Sequence, residues 1–318
     1  MPAYLKYRPA WSQLLVFIGL SFAIFMVLSI IGMFILARMT GMGMMEMADV
    51  NKWDLTNPNT LLIIRGMLTI QFLCLFLIPV LLFAYFSDPR PMEYLGMKQR
   101  TPAFYFAAGI LIMILAFPLA SWLGILNQSI PFPDSMQKWM DETAEGSNKQ
   151  IEYMLTQKGT DQLLKNLFFI AVFAGVGEEL FFRGVVQRLL IRWFKSPWAG
   201  ILAAAAIFSA IHFQFDGFLP RMMLGVVLGA MYWYSGSLWV LILAHVIYDG
   251  IIVIITHFDP SKISSDAPLD MNGLSPAIMG IVSLVLVSAL IYWMRKKSTN
   301  SMEKVYAGDR APNDPFSF

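Results

Sequence analysis

Two adjacent glutamates and an arginine interrupt an apolar stretch of the chain, and side chains of these types can bind or move protons. Glu178, Glu179 and Arg183 lie in GVGEELFFRGVVQRLLIR, residues 175–192. Glu179 precedes Arg183 by four residues, which is a favourable order and spacing for an ion pair on one helix face. Glu178 is rotated by about 100° from Glu179 on a helix. We therefore expect Glu179 and Arg183 to support each other, and Glu178 to be available as a general base.

Further residues with useful chemistry follow in two later apolar stretches. His212 ends the segment FSAIH, while His245 and Asp249 stand four apart in HVIYD and share a helix face. Each of these polar residues can also have a purely structural role, in a hydrogen bond or ion pair between helices. Together with a glutamate, however, two imidazoles and an aspartate can activate water, directly or through a metal ion. The set favours hydrolysis inside a membrane.

The elements that must position these residues are membrane helices. The chain has 318 residues, of which 57% are hydrophobic and 14% charged, and its mean hydropathy is +0.61. This composition is too apolar for an ordinary soluble domain and indicates a polytopic membrane protein in a lipid bilayer. The formal net charge of +2 gives no indication of a nucleic-acid partner.

Eight apolar runs predict an all-α bundle of about eight transmembrane helices, because a span needs about 20 residues. The runs are approximately Leu14–Leu36, Leu61–Phe86, Ala103–Leu126, Leu163–Leu190, Pro197–Phe213, Phe218–Tyr234, Leu238–Thr256 and Pro276–Met294. The fifth and sixth runs are short and only QFDG separates them, so a count of seven stays open. The polar residues described above place the catalytic core in spans four to seven.

Lysines and arginines outside the spans gather in alternate loops. The clusters comprise Lys6, Arg8, Arg90, Lys98, Arg100, Arg192, Lys195, Arg295, Lys296, Lys297, Lys304 and Arg310, and the few lysines of the acidic loop 127–162 do not outweigh them. The positive-inside rule makes these segments, and hence both termini, cytoplasmic. The abundance of methionine and the short loops favour an integral protein of the bacterial inner membrane.

The three polar segments resemble the motifs of the CPBP family of intramembrane proteases. They are GEELFFRG, with Glu-Glu-x-x-x-Arg, FSAIH, with Phe-x-x-x-His, and HVIYD, with His-x-x-x-Asp, in the order and spacing of that family. The family includes the type II CAAX prenyl endopeptidases and bacterial relatives called Abi or lysostaphin-resistance-protein-A-like. The similarity covers roughly residues 163–256. The segment YLGMK at residues 94–98 also resembles family members, but it is less specific than the three motifs.

The resemblance implies roles for individual residues. Glu178 and His212 would activate the attacking water, and the Glu179–Arg183 pair would support them. In the same family, His245 and Asp249 would complete the site and stabilise the oxyanion.

Asp249 departs from the pattern of the eukaryotic CAAX endopeptidases, which usually have Asn at this position. A carboxylate cannot donate a hydrogen bond to an oxyanion unless it is protonated. Asp249 is instead expected to orient His245 or to bind a metal.

A zinc ion is one open possibility for the site. Glu178, His212, His245 and Asp249 are the available ligands for Zn²⁺, although a catalytic zinc needs an open position for water, so only some of them would bind at once. The family resemblance leaves both a metal-assisted and a metal-free mechanism open.

With this resemblance, the chain divides into five regions. An N-terminal three-span region covers residues 1–126, and an extracytoplasmic loop with an interfacial helix covers 127–162. The protease core is 163–256, the last loop and final span are 257–297, and the polar tail 298–318 is expected to be disordered.

The predicted function is an intramembrane endopeptidase that hydrolyses a membrane-embedded or membrane-associated peptide or protein with water activated by Glu and His. His-Glu-x-x-His, the signature of the site-two proteases, is absent from the sequence. The alternatives are a non-enzymatic membrane immunity or scaffold protein, and a small proton-coupled transporter that uses Glu178 and His212 as a relay.

Overall fold

Every regular element in the described part of the protein is a helix. The computed structural model describes residues 4–48, 53, 57, 59–260, 275–300 and 305. The all-α prediction is confirmed for these residues.

Eleven helices, numbered in chain order, make up the described bundle. They are α1 (Ala10–Thr40), α2 (Met44–Ala48), α3 (Thr60–Ser87), α4 (Pro91–Tyr94), α5 (Ala103–Gln128), α6 (Asp134–Leu155), α7 (160–194), α8 (Pro197–Ala210), α9 (Phe218–Ser235), α10 (Leu238–Phe258) and α11 (Pro276–Lys297). A single 3₁₀ turn, Phe215–Gly217, precedes α9.

Five of these helices, α1, α3, α5, α10 and α11, are long and apolar enough to cross a membrane. Helix α8 is apolar but has only 14 residues. Helices α7 and α9 occupy the fourth and sixth predicted runs, and α7 carries Glu178, Glu179 and Arg183. The polytopic bundle is confirmed, while the count of eight spans stays a prediction.

The fifth run is shorter than the sequence suggested. The predicted span Pro197–Phe213 ends as a helix at Ala210, so that His212 lies in the turn that follows. Phe213 has a positive φ of 55°, a conformation that ends a helix. The His212 Nδ1 atom donates to the carbonyl oxygen of Phe208 at 2.7 Å, which satisfies a carbonyl of the last helical turn.

The acidic loop 127–162 contains the 22-residue helix α6, which is longer than the short interfacial helix expected there. It buries Met140, Ala144, Met154 and Leu155 and keeps its charged residues outward. That α6 lies at the membrane interface stays a prediction.

Glycines let the helices of the core approach closely. A Cβ atom on Gly175 of α7 would lie 2.6 Å from Val246 Cγ2 and 3.0 Å from the Val246 backbone nitrogen. Gly225 of α9 similarly faces Ala205 of α8, with a hypothetical Cβ–Cβ distance of 2.9 Å. These contacts set α7 against α10, and α8 against α9.

The YLGMK segment forms a turn that ties three helices together. The four carbonyl groups of residues 94–97 accept hydrogen bonds from α7, α9 and α10. In chain order, the donors are Arg188 Nη1 at 3.1 Å, Tyr232 Oη at 3.3 Å, the Leu238 amide at 3.1 Å and Trp239 Nε1 at 3.0 Å. Gly96 has a φ of 72°, which favours glycine. This turn fixes the ends of the helices that carry the site.

Candidate active site

An ion pair at the centre of the bundle joins α7 to its neighbours. Arg183 Nη1 donates to Glu179 Oε1 at 2.9 Å, and both side chains are buried. Arg183 Nη2 donates to the carbonyl oxygen of Gly225 at 3.1 Å, and its guanidinium lies 4.8 Å from the ring centre of Phe208. The ion pair expected from the spacing therefore also connects α7 with α8 and α9.

The same oxygen of Glu179 contacts a histidine from α10. The distance between Glu179 Oε1 and His245 Nδ1 is 2.8 Å, so Glu179 joins Arg183 and His245. Helical spacing does not predict this contact, because it gives neighbours within one helix and these two residues are 66 positions apart. No pattern in the sequence specifies that distance.

Glu178 lies between the two histidines. Its Oε1 is 3.7 Å from His212 Nε2, and its Oε2 is 4.0 Å from His245 Nε2. Because His212 Nδ1 donates to a carbonyl, the neutral ring has an acceptor at Nε2, facing Glu178. A π-helical segment, Glu179–Gln187, begins directly after Glu178, and such segments are frequent at functional sites.

Asp249 faces the same histidine from one turn further along α10. Its Oδ2 lies 3.4 Å from His245 Nε2. The two ring nitrogens of His245 are therefore each close to a carboxylate, Glu179 at Nδ1 and Asp249 at Nε2. The structure thus brings together all six residues that the sequence analysis singled out.

A cavity of about 380 Å³ lies against these groups. Glu178, His212, His245 and Asp249 line it on one side. The apolar part of its wall includes side chains of α5 and α9, namely Met113, Phe117, Leu224 and Leu228. Tyr248 stacks on Phe117 with ring centres 4.2 Å apart. The cavity combines polar groups able to do chemistry with a wall suited to apolar side chains.

The site contains the residue types of a metal centre without a metal-binding arrangement of the described side chains. Among the described residues, no group of three or more His, Cys, Asp and Glu side chains is arranged to hold a metal ion. The residue types are those of zinc sites, but their present geometry does not form a ligand set. Zn²⁺ binding therefore stays a prediction.

The fold and the site define an integral membrane protein with a buried Glu/His centre beside a cavity. Residues 160–251 match the sequence model of the family described as type II CAAX prenyl endopeptidase Rce1-like. The resemblance inferred from the three motifs is confirmed for this segment, which contains all six residues of the site, and that family is a family of proteases.

A similar protein is found in Bacillus subtilis (strain 168). The chain is 29% identical over 92 residues to uncharacterized protein YpbD of that organism, which is 28% of this chain and 44% of the relative. The match therefore spans less than half of that protein. No solved structure matches the chain.

Proposed function

We propose that the protein is an intramembrane endopeptidase in which Glu178 activates water for attack on a peptide bond. The observation that carries this proposal is the position of the Glu178 carboxylate, with His212 Nε2 3.7 Å from one oxygen and His245 Nε2 4.0 Å from the other, at the edge of a cavity. The match of residues 160–251 to a protease family supports it.

The first step is the activation and attack of water. The separation of 3.7 Å between Glu178 and His212 is longer than a direct hydrogen bond, and a water molecule can bridge groups at such a distance. Glu178 takes one proton of the water as its oxygen forms a bond to the carbonyl carbon of the substrate. His212 Nε2 accepts a hydrogen bond from the same water and orients it.

His245 is the group that would stabilise the resulting oxyanion. Its Nδ1 donates to Glu179 Oε1. When Nε2 is also protonated, the imidazolium can donate from Nε2 to the oxyanion, which a carboxylate at Asp249 cannot do. Asp249 acts as a positioning residue before the oxyanion forms, because its Oδ2 lies 3.4 Å from Nε2 and holds the ring until the oxyanion takes that hydrogen bond. The family resemblance assigns oxyanion stabilisation to His245 and Asp249 together, and in this scheme only His245 has that role.

Collapse of the tetrahedral intermediate completes the reaction. The carbon–nitrogen bond breaks, and the leaving amine receives the proton held by Glu178, directly or through His212. The products are a carboxylate and an amine, so protons and bonds balance without another reactant. No step uses a metal ion, and unchanged cleavage after chelation would agree with this scheme.

A comparison of protein termini in cells tests the function. Cells expressing the normal chain should contain new termini within membrane proteins or membrane-bound peptides that are missing from cells expressing Glu178→Gln. The matched control is Glu142→Gln, because Glu142 lies on the exposed face of α6 and has only a loose contact of 3.8 Å with Lys138.

The control variant should reproduce the termini of the normal chain. Identical termini in the normal, Glu178→Gln and Glu142→Gln cells would argue against proteolysis. That result would favour the non-enzymatic role as an immunity or scaffold protein.

A further inference from the structure

The cavity reaches one particular end of the helix bundle. Its outermost lining residues are Gly124 near the end of α5, Gly217 and Arg221 around the start of α9, and Thr256 near the end of α10. Because α9 runs antiparallel to α5 and α10, these positions meet at the same end. We call it the acidic end, because the acidic loop 127–162 follows α5 there.

Helix α6 of that loop lies beside the cavity mouth. Asn148 of α6 accepts a hydrogen bond from Gln214 Nε2 at 2.5 Å, and the ring of Trp139 lies 5.6 Å from that of Phe215. Gln214 and Phe215 lie between α8 and α9, two and three residues after His212. The active-site cavity and helix α6 therefore lie at the same end of the bundle.

Tightly packed side chains close the opposite direction. Within one helical turn beyond the deepest lining residues, Ile112, Met231, Leu241 and Ala244 are 0% exposed and pack in one apolar cluster. Beyond them the turn 94–97 ties α7, α9 and α10 together. A chain segment entering from that end would have to open both layers.

The closed end is the basic end of the protein. Helix α11 ends there with Arg295, Lys296 and Lys297, and Asn300 just beyond it donates to the carbonyl oxygen of Trp233 near the end of α9 at 3.2 Å. Lys6 lies at the same end, where its Nζ pairs with Asp88 after α3 at 3.1 Å.

The two ends differ clearly in charge. The loop 127–162 at the acidic end has six acidic residues and three lysines, while the basic end carries the terminal cluster of α11. Since short basic segments tend to remain in the cytoplasm, the positive-inside rule predicts that the basic end is the cytoplasmic end.

Resting on the proposed function, we infer that the active-site cavity opens to the extracytoplasmic side of the membrane. The substrate is then a membrane-anchored peptide segment whose scissile bond lies in the outer half of the bilayer or at its outer surface. A lipid-modified C-terminus held at the cytoplasmic leaflet, the CAAX type of substrate, would meet the closed end. The charge distribution and the packing thus favour a substrate that reaches the cavity from the outer side over the lipid-modified C-terminus of a CAAX substrate.

Cysteine labelling in oriented membrane vesicles tests this inference. Cys74, the only cysteine of the chain, is first replaced by Ala. Single cysteines are then introduced at Gly124 or Ser121 in the cavity, at exposed Ser147 on α6, and at exposed Gln99 on the basic end. A hypothetical Cβ on Gly124 has no described atom within 4 Å, so a cysteine fits there.

A membrane-impermeant maleimide added to right-side-out vesicles should label Ser147→Cys and both cavity variants, and leave Gln99→Cys unlabelled. Inside-out vesicles should give the reverse pattern. The inference is overturned if the cavity cysteines label together with Gln99→Cys, or if they label from neither side.

The labelling does not depend on catalysis. Adding Glu178→Gln to the cavity variants should leave their labelling unchanged. Outer-side labelling in a chain that cleaves nothing would count against the proposed function alone. Cleavage by a chain whose cavity labels from the cytoplasmic side would count against this inference alone.

Discussion

At the scale of single residues, the carboxylate of Glu179 explains how the site is held. One oxygen, Oε1, contacts both Arg183 Nη1 at 2.9 Å and His245 Nδ1 at 2.8 Å. Glu179 thereby fixes the orientation of His245 and leaves its Nε2 directed at Asp249 and Glu178. The two neighbouring glutamates thus differ in role, because one is enclosed by partners and the other borders the cavity.

Removing the arginine should strongly destabilise the protein. Arg183→Met leaves the buried Glu179 without its cationic partner, and breaking a buried ion pair in this way costs about 3–5 kcal/mol. Thermal unfolding in detergent should show a large decrease in midpoint temperature.

The control for this change is Lys138→Met, which removes the exposed partner of Glu142 on α6. Its midpoint should stay near that of the normal protein, because exposed ion pairs contribute little. Equal midpoints for the two variants would contradict the role assigned to Arg183.

At the scale of elements, the distance between α7 and α10 decides whether the site forms. Gly175 and Val246 are in contact where the two helices cross, and each is within three residues of a site residue. A larger side chain at the crossing must displace Val246, since an added Cβ would lie 2.6 Å from its Cγ2 atom and 3.0 Å from its backbone nitrogen.

Gly175→Ala is therefore expected to be destabilising and to lower activity. Overpacking of this kind costs about 1–3 kcal/mol, and it should displace His245 from Glu179. Unfolding and cleavage rates should both be measured. Gly19→Ala on exposed α1, where no described atom lies within 4 Å of a hypothetical Cβ, should lower neither stability nor activity, because alanine favours a helix more than glycine does. A stable, fully active Gly175→Ala protein would show that the crossing tolerates a wider separation.

Much of the helical structure could be predicted from the sequence, and the predictions that were wrong or missing have physical reasons. Apolar runs predicted the helices, and i,i+4 spacing predicted that Glu179 pairs with Arg183. The end of α8 was wrong by three residues, since the turn at His212 is formed by a side-chain bond to Phe208 that hydropathy does not report. The contact between Glu179 and His245 depends on packing between helices, which spacing within one helix does not determine.

At the scale of the whole molecule, charged groups outside the spans anchor the basic end. Burial alone raises the pKa of Asp88, but hydrogen bonds from the Arg90 amide at 2.9 Å and from Lys6 Nζ at 3.1 Å outweigh it and hold that pKa below its usual value. This carboxylate links the segment before α1 to the end of α3.

The stabilisation contributed by Asp88 should depend on pH. Because its pKa is lower in the folded than in the unfolded protein, the contribution is present above the unfolded pKa of about 4 and is lost as the pH falls through the folded pKa. Unfolding midpoints of the normal protein and Asp88→Asn should differ at neutral pH and converge in acid. A difference that is constant with pH would exclude this ionic contribution.

In the proposed reaction, Glu178 and His212 act together on one water molecule. The most direct test is the rate at which Glu178→Gln, His212→Ala and the double variant cleave a substrate found by the comparison of termini. Each single change should lower the rate by about 10²–10⁴-fold. The double variant should be no slower than the slower single variant, because groups that act as a unit are not additive. A normal rate in either single variant, or losses that multiply in the double variant, would contradict the claim.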